Sequence, residues 1–133
     1  MIDYETDIFD AVADALTTAY PNITVDSVET FSPSSFPFVS IVEIDNSTYL
    51  RSRDSSNNEN HANIAYEVNV FSNTVTGKKV ECKSILNTLD AVMIRLGFTR
   101  INSSPVTLDD ASKYRLVSRY VATIGKNGVI YRR

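Results

Sequence analysis

The sequence predicts an α+β fold, in which two helices pack on one face of a mainly antiparallel sheet. Two segments carry apolar residues at helical spacing, and others alternate apolar and polar side chains as half-buried strands do. Short connections between successive strands favour antiparallel pairing. The predicted order is α-β-β-β-α-β-β-β, within one domain spanning residues 1–133.

The first helix is predicted over residues 4–20. Asp3 can cap its start, and Pro21 prevents its continuation. One side is apolar at the helical period: Tyr4, Ile8, Val12, Ala15, Leu16 and Ala19. The opposite side carries an acidic stripe, which consists of Asp3, Asp7, Asp10 and Asp14.

Three strands and a long loop are predicted next. Residues 23–28 form a short strand, and 36–44 form a second whose nearly continuous apolar centre suggests burial on both faces. Residues 46–63 are the most polar part of the chain and predict a long loop. The alternation over 64–70 predicts the third strand.

The second helix is predicted over residues 78–96, and Gly97 stands where a helix end needs a left-handed residue. Its buried stripe comprises Cys82, Ile85, Leu86, Leu89, Val92, Met93 and Leu96. A short strand at 98–101, a connection at 105–111 and a long strand at 113–124 follow. A turn then leads into a closing hairpin strand at 129–131.

Composition excludes several classes of protein. The 133 residues are 43% hydrophobic, as in an ordinary globular domain, and no run approaches the roughly 20 apolar residues of a membrane span. The net charge of −3 disfavours tight general binding to nucleic acid. The acidic N-terminus is unlike a secretory signal, so we expect folding in the cytoplasm, without a membrane partner.

The sequence offers no catalytic, metal or cofactor site. The single cysteine, Cys82, excludes a cysteine-based zinc site and falls on the buried stripe of the second helix. The single histidine, His61, falls in the polar loop without a ligand-like neighbour. The aspartates at 109–110 have no flanking partner groups. We therefore expect a protein that is not an enzyme.

Three features suggest assembly with other subunits or proteins. The second helix has a mildly apolar back made of Val80, Asn87, Ala91 and Ile94. The long strand places Lys113, Arg115 and Arg119 on one pleat face, and the chain ends in Arg132 and Arg133. Opposite charges on different sides favour head-to-tail contacts, which close into rings. Solvated surfaces would explain either charged stripe alone.

The polar loop is the third feature, because loops of this length are commonly functional or disordered. Its candidate contact residues are Arg51, Arg53, Asn57, Asn58 and His61.

Several segments resemble the tail-terminator (tail-completion) proteins of long-tailed bacteriophages. They are 66–73 (YEVNVFSN), 77–85 (GKKVECKSI), 89–93 (LDAVM) and 96–100 (LGFTR), together with positions 110, 114–115, 117 and 119–120 and the closing hairpin. The predicted layout also matches along the full chain.

The resemblance implies a virion protein at the head–tail neck, assembled in the host bacterial cytoplasm. It implies a homo-oligomeric ring, commonly of six subunits, that caps the tail tube, stops addition of tube protein and meets the head connector. DNA would pass through the lumen without specific binding. We assign the acidic stripe to the lumen wall and the polar loop to the tube contact, both as hypotheses.

Two other classes stay open. A head-side neck protein, a stopper or adaptor, would also form a ring. A monomeric cytoplasmic binding module, such as a phage-encoded inhibitor, needs no ring at all. An enzyme that uses His61 and Cys82 comes last.

Overall fold

The computed structural model describes residues 3–28, 33–48, 61–108, 110–125 and 130–131. Within these ranges the chain forms two helices and six strands in the predicted order. They are α1 (Glu5–Ala19), β1 (Thr24–Asp26), β2 (Phe38–Thr48), β3 (His61–Ser72), α2 (Lys78–Leu96), β4 (Thr99–Val106), β5 (Tyr114–Gly125) and β6 (Ile130–Tyr131).

The described strands form a single sheet with the spatial order β1-β2-β3-β5-β4, and β6 pairs with the end of β5. The short β1 runs parallel to β2, with Val25 beside Val39. All other pairings are antiparallel. The prediction of an α+β fold with a mainly antiparallel sheet is confirmed.

Both helices pack on the same face of this sheet. The core joins the apolar sides of the helices to alternate residues of β2, β3 and β5, such as Ile41, Val68 and Ala122. From α1 it takes Ile8, Val12 and Leu16, and from α2 it takes Cys82, Ile85, Leu86, Leu89, Val92 and Met93. Since this cluster contains residues of one pleat face only, the other sheet face lies away from the helices.

The helix ends follow local chemistry. Gly97 ends α2 with a φ of 103°, and the preceding turn closes through Phe98 N–H, which donates to Met93 O at 2.9 Å. At α1 the expected cap is displaced by one residue: Tyr4 precedes the helix without a side-chain cap bond. Asp3 Oδ1 nevertheless accepts a hydrogen bond from Glu5 N–H at 3.1 Å.

The predicted loop at 46–63 is too long at both ends. β2 continues to Thr48, and β3 begins at His61, with Asn46 beside Ile64 and Ser47 beside Asn63. Backbone ladder bonds do not depend on side-chain polarity, which is why these polar residues can extend the strands. Positions 49–60 lie outside the described residues.

The strand after α2 is longer than predicted and includes part of the expected connection at 105–111. β4 runs to Val106, and Pro105 lies opposite Leu116 of β5. A proline has no N–H to donate, but an edge strand bonds a neighbour on one side only and can accommodate it. All eight residues of β4 are exposed.

Candidate functional site

The acidic stripe of α1 lies on the side of the helix that faces away from the sheet. Asp3, Asp7, Asp10 and Asp14 are all exposed, whereas the opposite side of the helix is buried in the core. None of the four forms an ion pair with a described residue. The stripe is therefore a continuous negative surface without compensating cations in the described part of the chain.

The back of α2 is exposed beside this stripe. Val80 and Ile94 are 71% and 41% exposed, and Asn87 and Ala91 between them are also exposed. Both helices cover the same sheet face and contact each other, and the hydroxyls of Tyr20 and Ser84 are 2.5 Å apart. The two candidate surfaces thus lie on the same side of the molecule.

The arginines of β5 lie on the opposite side, on the sheet face that carries no helix. Arg119 pairs with Glu67 of β3 at 3.0 Å. Arg115 donates from Nε to Asn69 Oδ1 at 2.8 Å, and its guanidinium stands 5.5 Å from the centre of the Phe71 ring. This basic surface is therefore engaged with its own neighbours on β3.

The remaining candidate residues fall outside the described part. Arg51, Arg53, Asn57, Asn58, Arg132 and Arg133 are among the residues that the structure does not describe. His61 is the first residue of β3, and its side chain is not described.

Cys82 is completely buried and packs in the core, as the sequence predicted. Its sulfur lies 3.7 Å from Val70 O and 3.8 Å from Tyr114 O. Burial, with a smaller contribution from Glu81, raises the pKa of the thiol to about 12. A thiol that resists ionisation in a closed core is a poor nucleophile.

Among the described residues no group of His, Cys, Asp and Glu has the arrangement of a metal site. No described helix is long and apolar enough to cross a membrane.

No protein-family model matches the chain, and no curated protein matches it significantly. The resemblance to tail-terminator proteins therefore stays a prediction, and a function has to be inferred from the exposed surfaces of the fold.

The structure brings together an acidic edge that sequence reasoning missed, consisting of Asp3, Glu5, Glu43 and Asp45. Glu43 lies on the helix side of β2 opposite Tyr66, just before a bulge that separates it from Asp45. The pKa of Glu43 is raised to about 7, mainly by partial burial and in addition by repulsion from Glu5, Asp3 and Asp45.

Tyr66 lies beneath this acidic edge. It is fully buried, and its hydroxyl has no hydrogen-bond partner in the described structure. Burial makes the largest contribution to the raised pKa of Tyr66, and the negative charges of Glu43, Glu5 and Asp3 raise it further. The ring itself packs edge-on against Phe98, with the centroids 5.6 Å apart.

A second missed feature is a groove of about 430 Å³ between α2 and the strands β4 and β5. Its cationic residues are Lys79 and Lys83 of α2 and Arg100 of β4, which together we call the basic groove. Leu86 and Leu116, both 5% exposed, contribute apolar surface to its lining.

One polar connection holds the wall of this groove in place. Asp90 of α2 accepts a hydrogen bond from the buried Tyr120 hydroxyl at 2.7 Å and lies 3.5 Å from the guanidinium of Arg100. The i, i+4 spacing of Lys79 and Lys83 was visible in the sequence. The approach of Arg100 depends on the pairing of β4 with β5, which no local pattern indicates.

Proposed function

We propose that this chain is a structural virion protein that forms a ring on the phage tail tube. The ring ends tube polymerisation and joins the tail to the head connector. The family is inferred from the resemblance of the sequence to tail-terminator proteins. The helices and strands of the α+β fold follow one another in the order that this resemblance implies. The partners are further copies of the chain, commonly six in a ring, the tube protein and the connector or stopper protein.

The observation that carries the proposal is the acidic stripe of α1. Four exposed aspartates, one just before α1 and three on it, have no ion pair to any described residue. Such a surface repels phosphates, so DNA can pass it without adhering. A conduit needs this property, and an isolated globule does not. We assign the stripe to the lumen wall.

The back of α2 is the candidate contact with a neighbouring protein. Val80 and Ile94 expose apolar surface at the two ends of the helix. Full burial of an exposed Val or Ile side chain contributes about 1.5–3 kcal/mol, and the partly covered Ile94 would contribute less, whereas exposure to a DNA channel gives nothing. The exposed candidate Asn87 would supply a polar contact there.

The decisive experiment inactivates the gene in its parent phage and images the lysate by negative-stain electron microscopy. Overlong tails beside unattached heads are expected, because nothing then stops addition of tube protein. Tails of normal length with detached or leaking heads would move the protein to the head side of the neck. Normal infectious particles would exclude a structural role.

Complementation provides the control for this experiment. A plasmid copy of the wild-type chain should restore normal tails. A copy carrying Cys82→Ala should restore them too if the thiol has no chemical role.

A further inference from the structure

The acidic edge and the basic groove lie at opposite edges of the sheet. β2 carries Glu43 and Asp45 on one side of the molecule, and β4 carries Arg100 on the other, with β3 and β5 between them. Three strand spacings separate β2 from β4, which is about 14 Å across the sheet. The two surfaces therefore cannot meet within one subunit.

Both edges lack a strand partner in the described structure. β1 pairs with β2 only as far as Ser40, so the stretch that carries Glu43 and Asp45 has a described neighbour on the β3 side alone. β4 pairs only with β5. Its exposed Ile101, at 57%, lies at the bulge opposite Arg119 and adds apolar area to this edge of the sheet.

The charges of the groove are available to a partner. Neither Lys79 nor Lys83 forms an ion pair with a described residue, and Arg100 is half-exposed despite its contact with Asp90. At the other edge, Asp3 and Asp45 are exposed. Each edge thus holds uncompensated charge of one sign.

We propose that the acidic edge of one subunit docks against the basic groove of the next copy of this chain. The contact is heterologous, because a different surface is used on each partner, and repeated contacts of this kind close into a ring. Charge complementarity sets which edges meet, and it disfavours pairing of like edges. This inference rests on the proposed ring and names its subunit interface.

The arrangement also agrees with the lumen assignment. Lateral contacts through the two sheet edges leave the helical side of every subunit facing in the same direction. The acidic stripe from Asp7 to Asp14 then lies clear of the interface, on one wall of the ring. Asp3 alone belongs to both surfaces. The back of α2 lies on the same side as the stripe, so its partner in this arrangement is the tube or connector protein and not the adjacent subunit.

The test reverses each edge separately in the full chain. Lys79→Glu with Lys83→Glu makes the groove acidic, and Asp3→Lys, Glu5→Lys and Asp45→Lys together make the acidic edge basic. Each of these two variants alone then presents two edges of the same sign. We expect self-association, measured by analytical ultracentrifugation at low salt, to weaken by roughly ten- to a hundredfold in each.

Mixing the two variants restores complementarity at every contact, because opposite edges again face each other in an alternating ring. We expect the mixture to assemble as wild type does. Lys78→Glu with Arg95→Glu is the control, since it changes the same amount of charge on α2 outside the groove. Circular dichroism verifies that each variant is folded.

The outcomes separate this interface from the proposed function. Wild-type rings that both variants leave unchanged, or a mixture that stays dissociated, would overturn the interface and leave the tail-capping role standing. A wild-type chain that stays monomeric at millimolar concentration and low salt would also overturn it. Normal tails in the gene-inactivated phage would instead remove the proposed function.

Discussion

Glu43 occupies a place where its charge is disfavoured. The carboxyl is partly buried on the helix side of β2 and is repelled by Glu5 and Asp3 at the start of α1. Its pKa is about 7 in the folded chain against 4.5 for a solvated glutamate. The folded state therefore binds a proton that the unfolded chain has already released between these two pH values.

The sign of the pH dependence follows from linkage. A raised carboxyl pKa means that the native state loses stability relative to the unfolded chain as the pH rises from about 4.5 through 7. We expect Glu43→Gln to remove this loss and to stabilise the protein at pH 8 by about 1 kcal/mol. This value is below the full linkage energy, because solvent screens a half-exposed group.

Urea unfolding at pH 5 and pH 8 measures the effect. The gain from Glu43→Gln should appear at pH 8 and nearly vanish at pH 5, where Glu43 is largely protonated. Asp10→Asn is the control, because it changes an exposed carboxylate of the acidic stripe. It should give no comparable difference in the free energy of unfolding between the two pH values. An equal gain at both pH values would show that the glutamine acts through packing rather than charge.

The environments of some single residues could be predicted from the sequence. Cys82 was expected in the core and Gly97 in a left-handed helix end, because both follow from spacing within one helix. Glu43 could not be singled out, since its environment depends on the approach of α1 to β2. The bulge that separates it from Asp45 is likewise invisible in a list of polar residues.

At the scale of elements, both helices and the mainly antiparallel sheet could be predicted, because periodicity and turn chemistry are local properties. The residues at which the strands end could not be predicted in this way. Polarity over 46–48 and 61–63 suggested a loop, whereas the backbone pairing of β2 with β3 continues through them. The basic groove escaped prediction for a related reason: Arg100 meets α2 only because β4 pairs with β5.

The exposed back of α2 yields a prediction at this scale. Val80→Gln with Ile94→Gln removes apolar area from a surface that makes no contribution to the core. We expect the free energy of unfolding to change by about 0.5 kcal/mol or less. If the back contacts a neighbouring protein, complementation of the gene-inactivated phage should fall about tenfold or more, which plaque counts measure.

Val75→Gln is the matched control for this variant. Val75 is 95% exposed in the turn before α2 and lies outside the apolar back. It should complement fully. Full complementation by the α2 variant as well would show that its back faces only solvent in the assembled particle.

The whole molecule has two faces and two edges with distinct surfaces. The exposed aspartates of α1 and the back of α2 lie on the helical side. The arginines of β5 lie on the sheet face that carries no helix. The edges carry opposite charge. If neighbouring subunits meet at the edges, as proposed, and the strands run along the ring axis, one of the two faces forms the lumen wall. The helical side carries the acidic stripe, which repels phosphates, and is therefore the face that suits a wall along which DNA passes.

The choice between the two faces can be tested by Asp10→Lys. In a ring this reversal is repeated in every subunit and places cations where DNA phosphates pass. We expect DNA ejection, followed by fluorescence of a DNA-binding dye, to slow in phage carrying the variant, and added salt to restore the rate by screening. Asn73→Lys with Thr76→Lys adds the same charge in an exposed turn and should leave ejection unchanged. Ejection at the wild-type rate in Asp10→Lys particles would place α1 outside the lumen and assign the wall to the opposite face. The arginines there, held by Glu67 and Asn69, would then be the groups nearest the DNA.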